Sequence, residues 1–251
     1  MLPPDRSWPE TNTLPPLIGG VATMPSRAHT FRIAVANILP QIDRLYVFFD
    51  RHDSVPQEFA DHPKIIGLLP SQFGQVKGAG KLLGLRLHAE PCIYFCFDDD
   101  ILYPPTYVEV LTRALYRHHL RAIVGLHGTL FRAPHSSYSR DRAVLHFSKA
   151  QLVDAHVDEL GTGTVAFHSK SFAVDPRRWP FFDMIDLMVA IDAVKQHVPR
   201  IVIRRPQGFL TALEQNQADS IHLRLLKDDS RQSRIMRDAL GAYPLSWHLA
   251  P

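Results

Sequence analysis

The stretch Phe95-Cys96-Phe97-Asp98-Asp99-Asp100-Ile101-Leu102-Tyr103-Pro104-Pro105 (FCFDDDILYPP) decides how the rest of the sequence is read. An apolar run that begins at Cys92-Ile93-Tyr94 leads straight into three adjacent carboxylates and stops at two prolines. A short apolar run bounded by turn formers is the pattern of a fully buried strand, and the acids mark its end. Like charges about 4 Å apart at an effective dielectric near 20 repel by roughly 4 kcal/mol, so the cluster implies a positive partner. Along extended chain alternate side chains share a face, which lets Asp98 and Asp100 converge while Asp99 turns away. The bland reading is a solvated acidic turn ahead of the next helix. Hard divalent cations such as Mg2+ or Mn2+ favour carboxylate oxygens and commonly share a substrate's phosphates, and the buried approach to the acids favours this second reading.

Working outward, Leu17–Thr23 reads as a buried strand ended by Met24-Pro25-Ser26-Arg27. Ala28 to Leu39 reads as a helix, with Phe31, Val35 and Ile38 at helical spacing and Pro40 as its stop. Leu45 to Phe49 is a second strand closed by Asp50-Arg51-His52-Asp53-Ser54, and Lys64 to Leu69 a third. The spacing predicts a helix over Gln75 to His88, entered from the glycine turn Gly78-Ala79-Gly80-Lys81. Ile93 to Phe97 is then the fourth strand. Strand alternating with helix predicts βαβ units and a mainly parallel sheet flanked by helices, in which ligands bind beyond the carboxyl ends of the strands. The TMPSR, FDRHD and DDD segments all fall at those ends.

Downstream, Tyr107 to Tyr116 reads as a helix, Ala122 to Leu126 as a strand, 133–141 as a polar loop and Arg142 to Lys149 as a strand. Gly161-Thr162-Gly163-Thr164 leads into apolar Val165 to Phe167. Phe182 to Ile191 begins a helix, with Asp183 and Asp186 on one face of its first turn. Ile201 to Ile203 is a late strand, and Lys227 to Gln232 reads as a solvated charge run.

With 251 residues, 45% hydrophobic and 21% charged, the chain can bury the core of one large α/β domain, 17–251, behind a Pro-rich tail, 1–16. The net charge of +3 is dispersed, which argues against nucleic acid as a partner. Cys92 and Cys96 would lie about 13 Å apart along one strand, too far to bridge, which suits a reducing compartment. The first residues lack the apolar core of a signal peptide, and no window of 18 apolar residues predicts a membrane-spanning helix.

Taken in order, ATMPSRAHTFRIAVANILPQIDRLYVFF (22–49), GAGK (78–81), FCFDDDILYPPTYVEVL (95–111), IVGLHG (123–128), LGTGTVAFH (160–168) and FDMIDLMVAIDAVKQHVP (182–199) resemble a bacterial glycosyltransferase of the GT-A fold, near the family 2 type. The resemblance covers roughly residues 17 to 230. It implies a nucleotide-sugar-binding half, 17–121, and an acceptor and catalytic half, 122–251. It implies a nucleoside-diphosphate sugar, a UDP-sugar foremost, held through Mn2+ or Mg2+ on Asp100, with Asp98 near the ribose or the metal and Asp99 beside them. The base of the nucleotide would lie near Thr23, Pro25 and Arg27 and near Asp50, with Asp53 the alternative, and Lys81 would face phosphate or base. Asp186, in preference to Asp183, would be the general base of an inverting transfer. Gly161, Thr162, Gly163 and Thr164 would shape the sugar pocket, His127 would touch the acceptor, and His222 would be a third metal ligand. The acceptor implied is a hydroxyl of a cell-surface glycan or glycolipid. The enzyme would work in the cytoplasm, a setting compatible with peripheral attachment to the inner membrane face.

Duller readings stand beside these. Arg27 can pair with a nearby acid, Asp50 and Asp53 can cap a turn, Lys81 can be a surface lysine, and Asp183 and Asp186 can complement a helix dipole. A haloacid-dehalogenase-like phosphatase also carries Asp-x-Asp after an apolar strand, with Asp98 as nucleophile, but that motif follows its first core strand. A nucleotidyltransferase would carry glycines where TMPSR has none. A non-catalytic sugar-binding module would keep the crevice and tolerate loss of Asp186.

Overall fold

The structure is a computed structural model and describes residues 14–214, 227–243 and 247. Its centre is a sheet ordered β3-β2-β1-β4-β11-β6-β12-β9. The strands are β1 (Leu17–Thr23), β2 (Arg44–Phe49), β3 (Ile65–Leu68), β4 (Ile93–Phe97), β6 (Ile123–Gly125), β9 (Ala155–His156), β11 (Thr164–His168) and β12 (Arg200–Val202). β1 to β4 are mutually parallel, and β12 is parallel to β6. β11 runs antiparallel to both of its neighbours, and β9 antiparallel to β12, so the sheet is mixed although mostly parallel. Two smaller sheets join β10 (Glu159–Leu160), β7 (Gly128–Phe131) and β8 (Arg142–Leu145), and β13 (Thr211–Ala212) with β5 (Ile101–Leu102).

Alternation along the strands feeds two cores. Ile93, Phe95 and Phe97 face one layer with Val21, Leu45 and Val47. That layer is covered by α1 (Ala28–Ile38), which buries Phe31, Ala34, Val35 and Ile38, and by α5 (Tyr107–Arg117), which buries Tyr107, Val108, Leu111 and Leu115. Tyr94 and Cys96 face the other layer, with Phe48, Leu82 and the helix α6 (Ile185–Lys195). Both cysteines are buried and free, Cys96 within β4 and Cys92 immediately ahead of it. Among the described residues no helix is long and apolar enough to cross a membrane.

Three elements differ from expectation. Residues 75–88 form no continuous helix: a 3-10 stretch, Lys77–Leu82, is followed by a single α turn, Gly84–Leu87. Three glycines in that window each cost about 1 kcal/mol in a helix, and they serve tight packing instead. A β-carbon on Gly20 of β1 would overlap the Lys81 carbonyl and the Tyr94 hydroxyl. The Tyr94 hydroxyl also donates to that carbonyl at 2.7 Å, so the Lys77–Leu82 turn is clamped directly onto the central strand. The strand at Arg142 ends at Leu145 instead of reaching Lys149. Helix α6 starts at Ile185, which puts Asp186 in its first turn and leaves Asp183 in the approach to it.

Candidate functional site

The carboxyl ends of β1, β2 and β4 bring the sequence-predicted residues of the first half to one rim. Asp98 follows the end of β4 and Asp99 and Asp100 form a turn, so simple alternation does not set their directions. Lys81, buried by the clamp on Gly20, forms an ion pair and hydrogen bond with Asp98 Oδ1. Arg27, from the turn after β1, donates to Asp100 Oδ2 at 2.9 Å. The positive partners demanded by the acid cluster are therefore two side chains from separate turns. Burial would depress the Lys81 ammonium, but the Asp98 charge and hydrogen bond, with Cys96 and Asp186 nearby, raise it above its ordinary value. Burial pushes the Asp99 carboxyl up to about 7, helped by the flanking Asp100 and Asp98 charges and opposed by the nearby Thr23 hydroxyl and the Arg27 charge. Burial and the Asp98 charge also raise Asp100, against the pull of Arg27 and Lys81.

The turn is fixed from both sides. Tyr103, fully buried, accepts from the Asp98 amide at 2.7 Å and donates to the Gly163 carbonyl at 2.6 Å. Leu213 donates its amide to the Asp100 carbonyl at 2.8 Å, continuing the pairing of β13 with β5. Gly163 is glycine for a steric reason, since a β-carbon there would overlap the Asp98 carboxylate. Further along the rim, Asp50 is buried and its Oδ1 has no hydrogen-bond partner among the described residues, while Oδ2 lies 3.7 Å from Arg51. Thr23 is buried beside it, the Asp50 amide donating to the Thr23 carbonyl at 2.8 Å. Pro25 and Asp53 are exposed.

The second half supplies the far wall of a cavity of about 270 Å³, whose lining includes Lys81, Asp98, His127, Thr162, Asp183 and Asp186. Asp186 Oδ1 accepts the Thr162 amide at 2.8 Å and the Thr162 hydroxyl at 2.6 Å. Oδ2 accepts no hydrogen bond from the described residues. Burial raises the Asp186 carboxyl, against the Thr162 hydrogen bonds and Lys81. Asp183 lies 3.5 Å from Arg231. The Gly161–Thr164 turn is tied to His127: the Gly161 amide donates to the His127 carbonyl at 3.0 Å, and the Thr164 hydroxyl accepts the His127 amide at 3.1 Å. Thr164 is thus a staple of the turn, whereas Thr162 presents Asp186. Burial, with the His146 and Arg142 charges, brings the His127 imidazole down to about 4, so it is neutral near pH 7.

Sequence reasoning missed Thr129, Tyr138, Arg142, Glu159 and Gln232, which complete the cavity. Tyr138 lies in the polar loop 133–141. Gln232 comes from the run taken as solvated. That run is instead anchored: Asp229 accepts from the Ser137 and Ser139 hydroxyls, at 2.6 Å each, and from the Ser139 amide at 2.7 Å.

Asp98 and Asp100 suit a divalent cation as a donor set. Two carboxylates, completed by ligand phosphate oxygens and water, are what Mg2+ or Mn2+ commonly takes. Burial, ahead of the like charges of the cluster, raises the Asp99 and Asp100 carboxyls, and a cation held there would favour their ionised forms. Among the described residues no three His, Cys, Asp or Glu side chains group as metal ligands, and His222 lies outside those residues. No family model matches the chain, and no curated protein matches it.

Proposed function

We propose that this chain is a glycosyltransferase of GT-A type, moving a sugar from a nucleoside-diphosphate donor, a UDP-sugar foremost, to a hydroxyl of a glycan or glycolipid. The observation that carries the reading is one cavity with two chemically different carboxylates on its walls. Asp98 is held by a cation at the carboxyl end of the parallel strands, where phosphates bind in such sheets. Asp186 is held only by neutral donors and keeps one oxygen uncommitted.

In this reading Asp50 and Thr23 bind the nucleoside, with the unpartnered Asp50 Oδ1 receiving a donor from the base or ribose. Lys81 and Arg27 hold Asp98 and Asp100 in place and lower the cost of gathering three acids. A divalent cation on Asp98 and Asp100 would act as a Lewis acid that stabilises the charge developing on the departing diphosphate. Thr162 aims Asp186 so that Oδ2 takes the proton of the acceptor hydroxyl. As the acceptor oxygen gives up that proton and bonds to the anomeric carbon, the carbon–oxygen bond to the diphosphate breaks and its electron pair leaves with the diphosphate. Burial of Asp186 raises its proton affinity, which suits a base. Attack from the side opposite the diphosphate inverts the anomeric carbon.

The test is a thermal-shift panel of nucleoside diphosphates with and without Mn2+, since a ligand that binds only the folded state raises the melting temperature by mass action. A shift with UDP that requires Mn2+ is expected. Stabilisation by beryllium fluoride and not by any nucleotide would make the chain a phosphatase. Retention at the anomeric carbon, seen by NMR of the product, would remove Asp186 from the role of inverting base.

A further inference from the structure

One wall of the cavity has no part in the transfer outlined above. Strand β10 pairs antiparallel with β7, placing Glu159 opposite Thr129. Directly opposed residues present their side chains on the same face, and both line the cavity. Glu159 is 3% exposed. Both of its carboxyl oxygens lie 2.8 Å from the Tyr138 hydroxyl, which has a single proton to give. A carboxyl group, protonated or not, has several hydrogen-bonding positions, and among the described residues this buried one is served by a single donor. No ion pair engages it among the described residues. The nearest cation of the wall, Arg142, stacks over the Tyr138 ring, 5.1 Å from its centroid, and lines the same cavity. Burial, with the Asp186 charge, pushes the Glu159 carboxyl up to about 8, against the Tyr138 hydrogen bond and the Arg142 charge.

A buried carboxyl with so few partners is costly unless something else completes its hydrogen bonds. The cavity it faces is the place for that partner. At about 270 Å³ it lies at the small end of ligand pockets, room for one ring and not for an extended chain. Thr129, Tyr138, Arg142, Glu159 and Gln232 put donors and acceptors side by side around it. Neighbouring hydroxyls of a pyranose, each both donor and acceptor, match that alternation.

We propose that Glu159, aimed by Tyr138, is a specificity-determining residue that hydrogen-bonds one hydroxyl of the pyranose ring filling the cavity. The inference rests on the sugar-transfer reading for its ligand class, and its test is independent of turnover. Binding of a panel of common pyranoses, each free and as its UDP conjugate, together with their monodeoxy analogues and UDP alone, is measured on the wild-type chain and on Glu159→Gln by calorimetry and saturation-transfer NMR.

For one pyranose, removing a single ring hydroxyl is expected to weaken binding to the wild type about 10- to 100-fold, as loss of a hydrogen bond to a carboxyl group does. Glu159→Gln should weaken the parent sugar by a similar factor and leave the deoxy analogue nearly unchanged, while UDP binds both proteins equally. Such non-additivity belongs to a direct contact, whereas a merely structural loss weakens parent and analogue alike. Coupling seen only with the UDP conjugate assigns the ring to the donor, and coupling with the free sugar assigns it to the acceptor. Equal losses for parent and analogue, no loss for either, or no pyranose bound by the wild type would overturn the proposal. If sugar coupling persists while UDP binds neither protein, the nucleotide-sugar reading fails and the role of Glu159 stands. If UDP binds and coupling is absent, the reverse holds. Should Glu159→Gln fold poorly, the deoxy series on the wild type still finds the recognised hydroxyl, and Tyr138→Phe, which removes the aiming donor, takes the place of the second arm.

Discussion

The two walls of the cavity handle their carboxylates in opposite ways. On the wall built from the first half, Asp98 is matched to Lys81, and Asp100, two residues on at the rim, is matched to Arg27. On the wall built from the second half, Asp186 and Glu159 are matched to neutral donors, the Thr162 amide and hydroxyl and the Tyr138 phenol. A cation favours the ionised form and so opposes the burial that raises Asp100, whereas Asp186 and Glu159 are raised by burial with only neutral hydrogen-bond donors in contact. The contrast separates a wall suited to holding charge from one suited to moving or sharing a proton.

The sharpest way to break the comparison is Asp186→Asn. Loss of a general base is expected to reduce kcat by about 10² to 10⁴, with UDP and Mn2+ still raising the melting temperature as in the wild type. A variant with undiminished kcat would take the base away from this wall. Next in size, Gly20→Ala should cost about 3 kcal/mol or more, because the new β-carbon meets the Lys81 carbonyl, a backbone atom that cannot step aside. Urea unfolding measures it, and a change below 1 kcal/mol would mean that the clamp on β1 is loose. Lys81→Met should destabilise by about 1–3 kcal/mol, less than a fully buried pair would, because the Asp98 side chain is 38% exposed and water can take over. The same variant should weaken nucleotide binding and leave sugar binding intact, a split that tests whether the walls act separately.

Much of the first wall is readable in the sequence because it is local. LIGGVAT, RLYVFF and IYFCF are apolar runs of strand length, and the polar segments that follow them fall at one edge as soon as the strands are parallel. What sequence cannot carry is direction: β11 is as fully buried as its neighbours yet runs antiparallel between β4 and β6. Three glycines at 78, 80 and 84 argue against a helix there, and the GAGK pattern masked that cost. The second wall was half hidden because its members lie far apart in the chain. Tyr138 meets Glu159 across 21 residues, and Gln232 arrives from a segment whose composition reads as solvated. The pair of acids Asp158-Glu159 between Val157 and Leu160, immediately ahead of Gly161, is the one signal that could have marked Glu159.

Smaller effects sharpen the picture. Tyr103→Phe should cost about 1–3 kcal/mol, since the Asp98 amide and the Gly163 carbonyl would both lose a buried partner. Glu159 predicts a pH signature. Its carboxyl ionises near 4.5 when unfolded and near 8 in the fold, so across that interval the folded state binds more protons. Stability from this group is then fully present below about pH 4.5, falls as pH rises towards 8 and levels off above. Glu159→Gln should flatten that decline in a series of denaturation midpoints. His127 acts oppositely: held neutral with its imidazole near 4, it costs stability as pH falls from about 6.5.

The Tyr103 phenol bridges the Asp98 backbone to the Gly163 backbone, one residue from the threonine that grips Asp186. Nothing in that span bears a formal charge except its last member. Registration of one wall against the other is therefore indifferent to ionic strength, while the lysine and arginine contacts at the rim are weakened by it. Raising salt should loosen what the pocket attracts before it disturbs how the pocket is aligned.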